Sequence, residues 1–127
     1  MEVSRMSYQN ILVGVDGSKQ ADMAFEKAVD TAKTNDAKLY LLSIINGERY
    51  PSTGPGGYGF VSHSIYDSAI ETMQKKLVDY KKKAEAAGIK AVETDVKVGN
   101  AKVELAERYP KENDIDLIII GATGLNV

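Results

Sequence analysis

Three short apolar runs constrain this chain most: Ile11 to Val15, Leu39 to Ile45 and Ile115 to Ile120. Each is too short to span a bilayer. Each reads as a strand buried on both faces, the pattern of a parallel sheet covered by helices. The segments between them carry helical spacing. Ser18 is a good N-cap, and Ala21, Ala24, Phe25, Ala28, Val29 and Ala32 follow on one face, small enough to bring a helix close to a sheet. Ser64 to Ala87 is the longest expected helix, with Ile65, Ala69, Met73, Leu77, Tyr80 and Ala84 in one stripe. Glu71–Lys75 and Asp79–Lys83 are spaced to pair along its wet side, and Gly88 is placed to cap its end. Val92 to Val98 alternates apolar and charged residues, which suits a half-exposed strand at a sheet edge. Asn100 caps a short helix carrying Val103, Leu105, Ala106 and Tyr109, and Pro110 is expected to end it. The resulting order, βαβαβαβ, predicts an α/β fold: an open, doubly wound parallel sheet with right-handed crossovers.

A length of 127 residues suits one domain, spanning 1–127, with no internal repeat. Apolar residues make up 43 % and charged residues 27 %, as in an ordinary globular chain. The formal net charge of −2 gives no bulk attraction to nucleic acid or to an anionic membrane. Absence of cysteine excludes disulfides, thiolate metal ligands and a cysteine nucleophile, and fits a reducing cytoplasm. Met1 to Asn10 lacks the apolar core of a signal peptide; Met6-Ser7 is a candidate natural start, with Met1 to Arg5 as a leader. Asn46 to Ser62, rich in glycine and proline, reads as a long flexible loop. One feature leaves the sheet open. Ile115 to Ile120 reads as an interior strand, yet the sequence ends seven residues after Ile120. An apolar strand left at an edge is an aggregation hazard, so either a partner chain or an absent C-terminal segment is expected to cover it.

Two segments concentrate the functional signal. Ile11-Leu12-Val13-Gly14-Val15-Asp16-Gly17-Ser18 is a strand ending in a lone carboxylate and a turn, and Asp116-Leu117-Ile118-Ile119-Ile120-Gly121-Ala122-Thr123-Gly124 is a strand ending in a glycine-spaced turn. In a parallel sheet both ends open on the edge where ligands bind. Asp16 has two readings: a turn-former aided by Gly17, or an acceptor for a ribose hydroxyl. Gly121-x-x-Gly124 is either a tight turn or a place where backbone N–H groups approach a phosphate, with Thr123 adding a hydroxyl.

Other features carry less. Gly54-x-Gly56-x-x-Gly59 matches the dinucleotide fingerprint formally, but it follows no strand, opens no helix and contains Pro55, so it is rejected. His63, the only histidine, reads as solvated, and no metal site is expected. Ser43 has no base nearby in sequence to make it a nucleophile. Lys81-Lys82-Lys83 reads as a wet helix face without aromatics for nucleic-acid stacking. Tyr50, Tyr58 and Tyr66 either close a pocket or anchor the loop.

Taken in order, Ile11 to Ser18, Leu41-Leu42-Ser43-Ile44-Ile45, Val98-Gly99 and Asp116 to Gly124 resemble the universal stress protein family over essentially the whole chain. The resemblance implies a Rossmann-like sheet of the adenine-nucleotide alpha-hydrolase type, of order 3-2-1-4-5, in a homodimer. In the ATP-binding branch, the position matching Asp16, after Val15, contacts the ribose. The backbone matching Ile44 meets the adenine. The glycines matching Gly121 and Gly124, after Ile120, open a motif Gly-2x-Gly-9x-Gly-Ser/Thr that holds the phosphates. Here the sequence stops at Val127, before the rest of that motif, the last helix and the fifth strand. The expectation is therefore an order of 3-2-1-4, a C-terminally shortened member and weakened ATP binding.

The leading functional expectation is a cytoplasmic stress-response module that binds ATP or a related adenine nucleotide, with Mg²⁺ arriving on the nucleotide. No catalytic residue is assigned, so hydrolysis is at most slow. The alternative is an adenylating enzyme or slow ATPase on a related fold, for which a chain of this length leaves little room. A phosphoacceptor receiver needs an acidic pair at the first strand end and an aspartate after the third strand, where Val98-Gly99 stands.

Overall fold

A computed structural model describes residues 8–46 and 58–121, with side chains described within 8–45 and 67–121. β1 (Asn10–Gly14) places Ile11, Leu12 and Val13 at 0 % exposure, the centre of the core. Its run of apolar residues is explained by neighbours on both sides and both faces. β2 (Lys38–Asn46) and β4 (Leu117–Ile119) flank it in parallel, with Val13 opposite Leu41 on one side and Ile119 on the other. β3 (Val92–Gly99) pairs with β2, and the sheet order is β3-β2-β1-β4, as expected.

The chain builds this sheet by winding twice. α1 (Lys19–Asn35) and α2 (Tyr58–Ala86) cover one face, where Phe25, Ala28, Leu77, Tyr80 and Ala84 pack with Ile11, Val13, Leu39 and Leu41. The return from β3 to β4 then covers the other face through α3 (Ala101–Val103), a π-helical turn (Glu104–Arg108) and α4 (Tyr109–Asn113). Tyr109 packs there with Leu12, Tyr40 and Leu42. Right-handed crossovers in both directions require this change of face. The reversal leaves a crevice between β1 and β4 at the C-terminal edge of the sheet.

Local chemistry explains the element ends. The Ser18 hydroxyl accepts from the Ala21 N–H at 3.1 Å and starts α1, as its position suggested. Alanines on the buried face let α1 lie close to the sheet. The α2 stripe is buried at Leu77, Tyr80 and Ala84, with Phe25 and Tyr80 in edge contact at 4.9 Å between ring centres. Gly88, at φ 109, turns the chain after α2. β3 is an edge strand of the described sheet: Val92 and Val96 pack under the helices, and Glu93 pairs with Lys38 at 2.8 Å.

Four details differ from the sequence expectation. α2 begins at Tyr58, inside the segment read as loop. Glycine and proline compete with local apolar content there, and composition weighed the former too heavily. Neither Glu71–Lys75 nor Asp79–Lys83 closes to ion-pair distance among the described residues; exposed pairs of this kind gain little from doing so. Pro110 does not end its helix. The π-helical turn sends the Tyr109 N–H to the Glu104 carbonyl, and Pro110 then falls in the first turn of α4, where no N–H is needed. β4 spans only Leu117–Ile119, and Ile120 is 56 % exposed. Asp116, just before β4, clamps the entry of β1: its N–H donates to the Asn10 carbonyl at 3.0 Å, and its carboxylate accepts from the Gln9 and Asn10 N–H groups at 2.9 and 3.0 Å. Among the described residues, no helix is long and apolar enough to cross a membrane.

Candidate functional site

At the reversal point lies a pocket of about 170 Å³. The chain after β1 brings Val15 and Asp16 to it, the cap and first turn of α1 bring Ser18 and Gln20, β2 brings Ile44, and the chain leaving β4 brings Ile120 and Gly121. Ala101 and Leu105, from the helices on the second face, form a further wall. Larger cavities among the described residues lie between α1 and α2 (about 410 Å³), at the N-terminal edge of the sheet (about 550 Å³) and between the Gly17 turn and α2 (about 240 Å³). None of these gathers the C-terminal ends of several strands, which is where α/β sheets hold ligands.

Of the seven residues singled out by sequence, Val15, Asp16, Ile44, Ile120 and Gly121 line this one pocket, although up to 106 positions separate them. Thr123 and Gly124 lie outside the described residues. So do Tyr50, Gly54 and Gly56, together with the side chains of His63, Tyr58 and Tyr66. Lys82 and Lys83 are exposed and Lys81 is half-buried, which fits a solvated helix face.

Both readings of Asp16 have a physical basis. Its Oδ1 accepts from the Ser18 N–H at 2.8 Å, which closes the turn into α1. Gly17 takes φ 86 in that turn, the left-handed region that disfavours a side chain. The second carboxylate oxygen has no hydrogen-bond partner among the described residues, and Asp16 is exposed at the pocket rim. One oxygen thus builds the turn while the other remains free to accept from a ligand.

Gly121 is there because nothing larger fits. A Cβ at that position would collide with the Gln20 carbonyl of α1. The end of β4 therefore touches the first turn of α1, backbone on backbone, and brings the positive end of that helix to the pocket. Ser43 sits behind the rim, 2 % exposed, with its hydroxyl donating to the Val15 carbonyl at 2.6 Å.

Sequence reasoning missed four residues around this framework. Tyr80 of α2 donates its hydroxyl to Asp22 at 2.5 Å, and its pKa is pushed up to about 12, chiefly by burial and then by that carboxylate. Lys76 reaches across the same turn: a Cβ at Gly17 would sit 3.1 Å from its Nζ. Glu104 is a buried carboxylate that accepts from Arg108 at 3.3 Å and backs onto Gly99. Tyr109 buries a hydroxyl with no partner among the described residues; burial raises its pKa, helped by Asp95 and Glu93. Helical spacing gave Tyr80 and Tyr109 only as core positions, and no local pattern marks a lysine that reaches back over a turn.

Known proteins share this fold. The model of the universal stress protein family matches residues 7–126. A protein of Staphylococcus saprophyticus named as a universal stress protein is 37 % identical over 126 residues, covering 95 % of this chain and 70 % of its own length. The structure of universal stress protein UspA from Lactobacillus plantarum matches with a TM-score of 0.82 at 27 % identity, over 94 % of this chain and 81 % of that one. A universal stress protein crystallised in complex with cAMP matches with a TM-score of 0.65 at 25 % identity, over 95 % of this chain and 78 % of that one. Sequence match and fold agree: the chain belongs to the universal stress protein family.

Proposed function

We propose that this protein binds ATP or a related adenine nucleotide in the pocket between β1 and β4, and that it works in the cytoplasm as a homodimeric, nucleotide-dependent stress-response module. The free oxygen of Asp16 accepts from a ribose hydroxyl. The Ile44 backbone meets the base. Gly121, against the start of α1, lets a phosphate approach backbone N–H groups. Mg²⁺ arrives with the nucleotide, held by its phosphates rather than by a protein cage.

One observation carries this reading: Asp16, Ile44, Ile120 and Gly121, chosen by sequence, converge on a single pocket at the reversal point of the sheet. The Gly121 contact supports it further, since it holds the end of β4 against the first turn of α1, where a side chain would push the two apart. The cAMP complex of a similar protein shows that one relative binds an adenine nucleotide.

Native mass spectrometry, without added nucleotide and then with Mg-ATP, tests the proposal. The expected result is a dimer that gains the mass of an adenine nucleotide, with the gain reduced in Asp16→Ala. A protein that takes up no nucleotide at any workable concentration would overturn the proposal and leave Asp16 as a turn residue.

A further inference from the structure

The parallel ladder between β1 and β2 ends in an unusual way. Along β2, successive residues turn their backbone groups alternately to the two neighbours. The Lys38 N–H donates to Gln9 on the β1 side, and the Leu39 N–H donates to Ala91 on the β3 side. Even-numbered residues of β2 therefore face β1, and the Leu42 carbonyl accordingly accepts from the Val15 N–H at 2.9 Å. The next rung would run from the Ile44 N–H to the Val15 carbonyl. It is not made. The Val15 carbonyl accepts from the Ser43 hydroxyl instead, at 2.6 Å, inside the core.

We infer that Ser43 is a positioning residue of the pocket: its hydroxyl replaces the last rung of the ladder, holds the peptide before Asp16, and leaves the Ile44 N–H facing the pocket for a bound base. Two consequences follow from one hydrogen bond. The Val15 carbonyl is satisfied without its backbone partner, so the chain can leave the sheet at Val15 and enter the Asp16-Gly17-Ser18 turn. Ile44, half-buried at the pocket wall, keeps a backbone donor aimed past the end of β1. A serine buried in an apolar strand needs a partner for its hydroxyl, and the Val15 carbonyl supplies it. Alanine would pack equally well, but it would return the Val15 carbonyl to the Ile44 N–H or leave it unpaired.

The inference rests on the nucleotide reading for its function but not for its geometry, so the test has two arms. The first is amide hydrogen exchange on the ligand-free protein. The Ile44 N–H is expected to exchange at least tenfold faster than that of Leu42, and to gain protection in Ser43→Ala. An Ile44 N–H as protected as Leu42 in the wild type would overturn the inference. The second arm measures affinity for ATP and for 2′,3′-dideoxy-ATP in the wild type, Ser43→Ala and Ser43→Thr. Ser43→Ala is expected to lose tenfold or more in ATP affinity and most of its preference for the ribose hydroxyls, and Ser43→Thr to keep both. Equal preference in wild type and Ser43→Ala would overturn the inference, because a purely structural role weakens both ligands alike. A wild type that binds neither ligand, or binds them equally, refutes the proposed ribose contact itself, and the exchange arm alone then decides the ladder geometry.

Discussion

Gly121 and Asp116 bracket β4, and each does a job that only its own side chain, or lack of one, permits. A methyl group at Gly121 would strike the Gln20 carbonyl, which belongs to backbone and cannot swing aside. Gly121→Ala should therefore lower stability by about 1–3 kcal/mol, the usual cost of overpacking, and a thermal melt measures it. A variant as stable as the wild type would mean that the end of β4 is free to move off α1. The glycine itself was legible in the sequence, but its reason was not. The sequence offers a tight turn or a phosphate approach, and neither reading contains the contact between two backbones that the structure shows. In the sequence Asp116 reads only as part of a strand. Its use as a clamp on the Gln9 and Asn10 N–H groups needs two segments 106 positions apart, and no local pattern shows such a pair. Ser43 is similar: the sequence offers only a weak nucleophile reading there, and the sheet register shows what the hydroxyl does.

Among the elements, the two helices on one face are fastened by a polar contact as well as by packing. Tyr80 reaches from α2 to Asp22 of α1 while its ring lies on Phe25. Its folded pKa of about 12 lies above the ordinary tyrosine value of 10, so folding favours the neutral phenol. The stability this contributes is complete below pH 10 and is lost as pH rises towards 12. Tyr80→Phe should cost about 1 kcal/mol at neutral pH, the net worth of the hydrogen bond. The difference from wild type should shrink between pH 10 and 12, as chemical denaturation at each pH would show; a constant difference would exclude the phenol as its source. Element type was readable throughout because burial on one or two faces leaves a period in the sequence. Boundaries were not. Tyr58 to Ser62 joins α2 despite flanking glycines, and the chain passes Pro110 by inserting a π-helical turn. Both are cases where the ends of an element depend on what it packs against.

For the whole molecule, the order β3-β2-β1-β4 decides where chemistry can happen. Winding first one way and then back leaves one crevice at the C-terminal edge, and the sequence already indicated its walls. What it could not indicate was the second layer: Ser43 under Asp16, Lys76 over Gly17, and Leu105 on the far wall. The most direct test of a nucleotide in this crevice is a backbone amide NMR titration of the ¹⁵N-labelled protein with Mg-ATP. Shifts are expected to saturate together at Val15 to Ser18, Ile44, Leu105 and Gly121. No saturable shift, or a set of shifts confined to the groove between α1 and α2, would contradict the account.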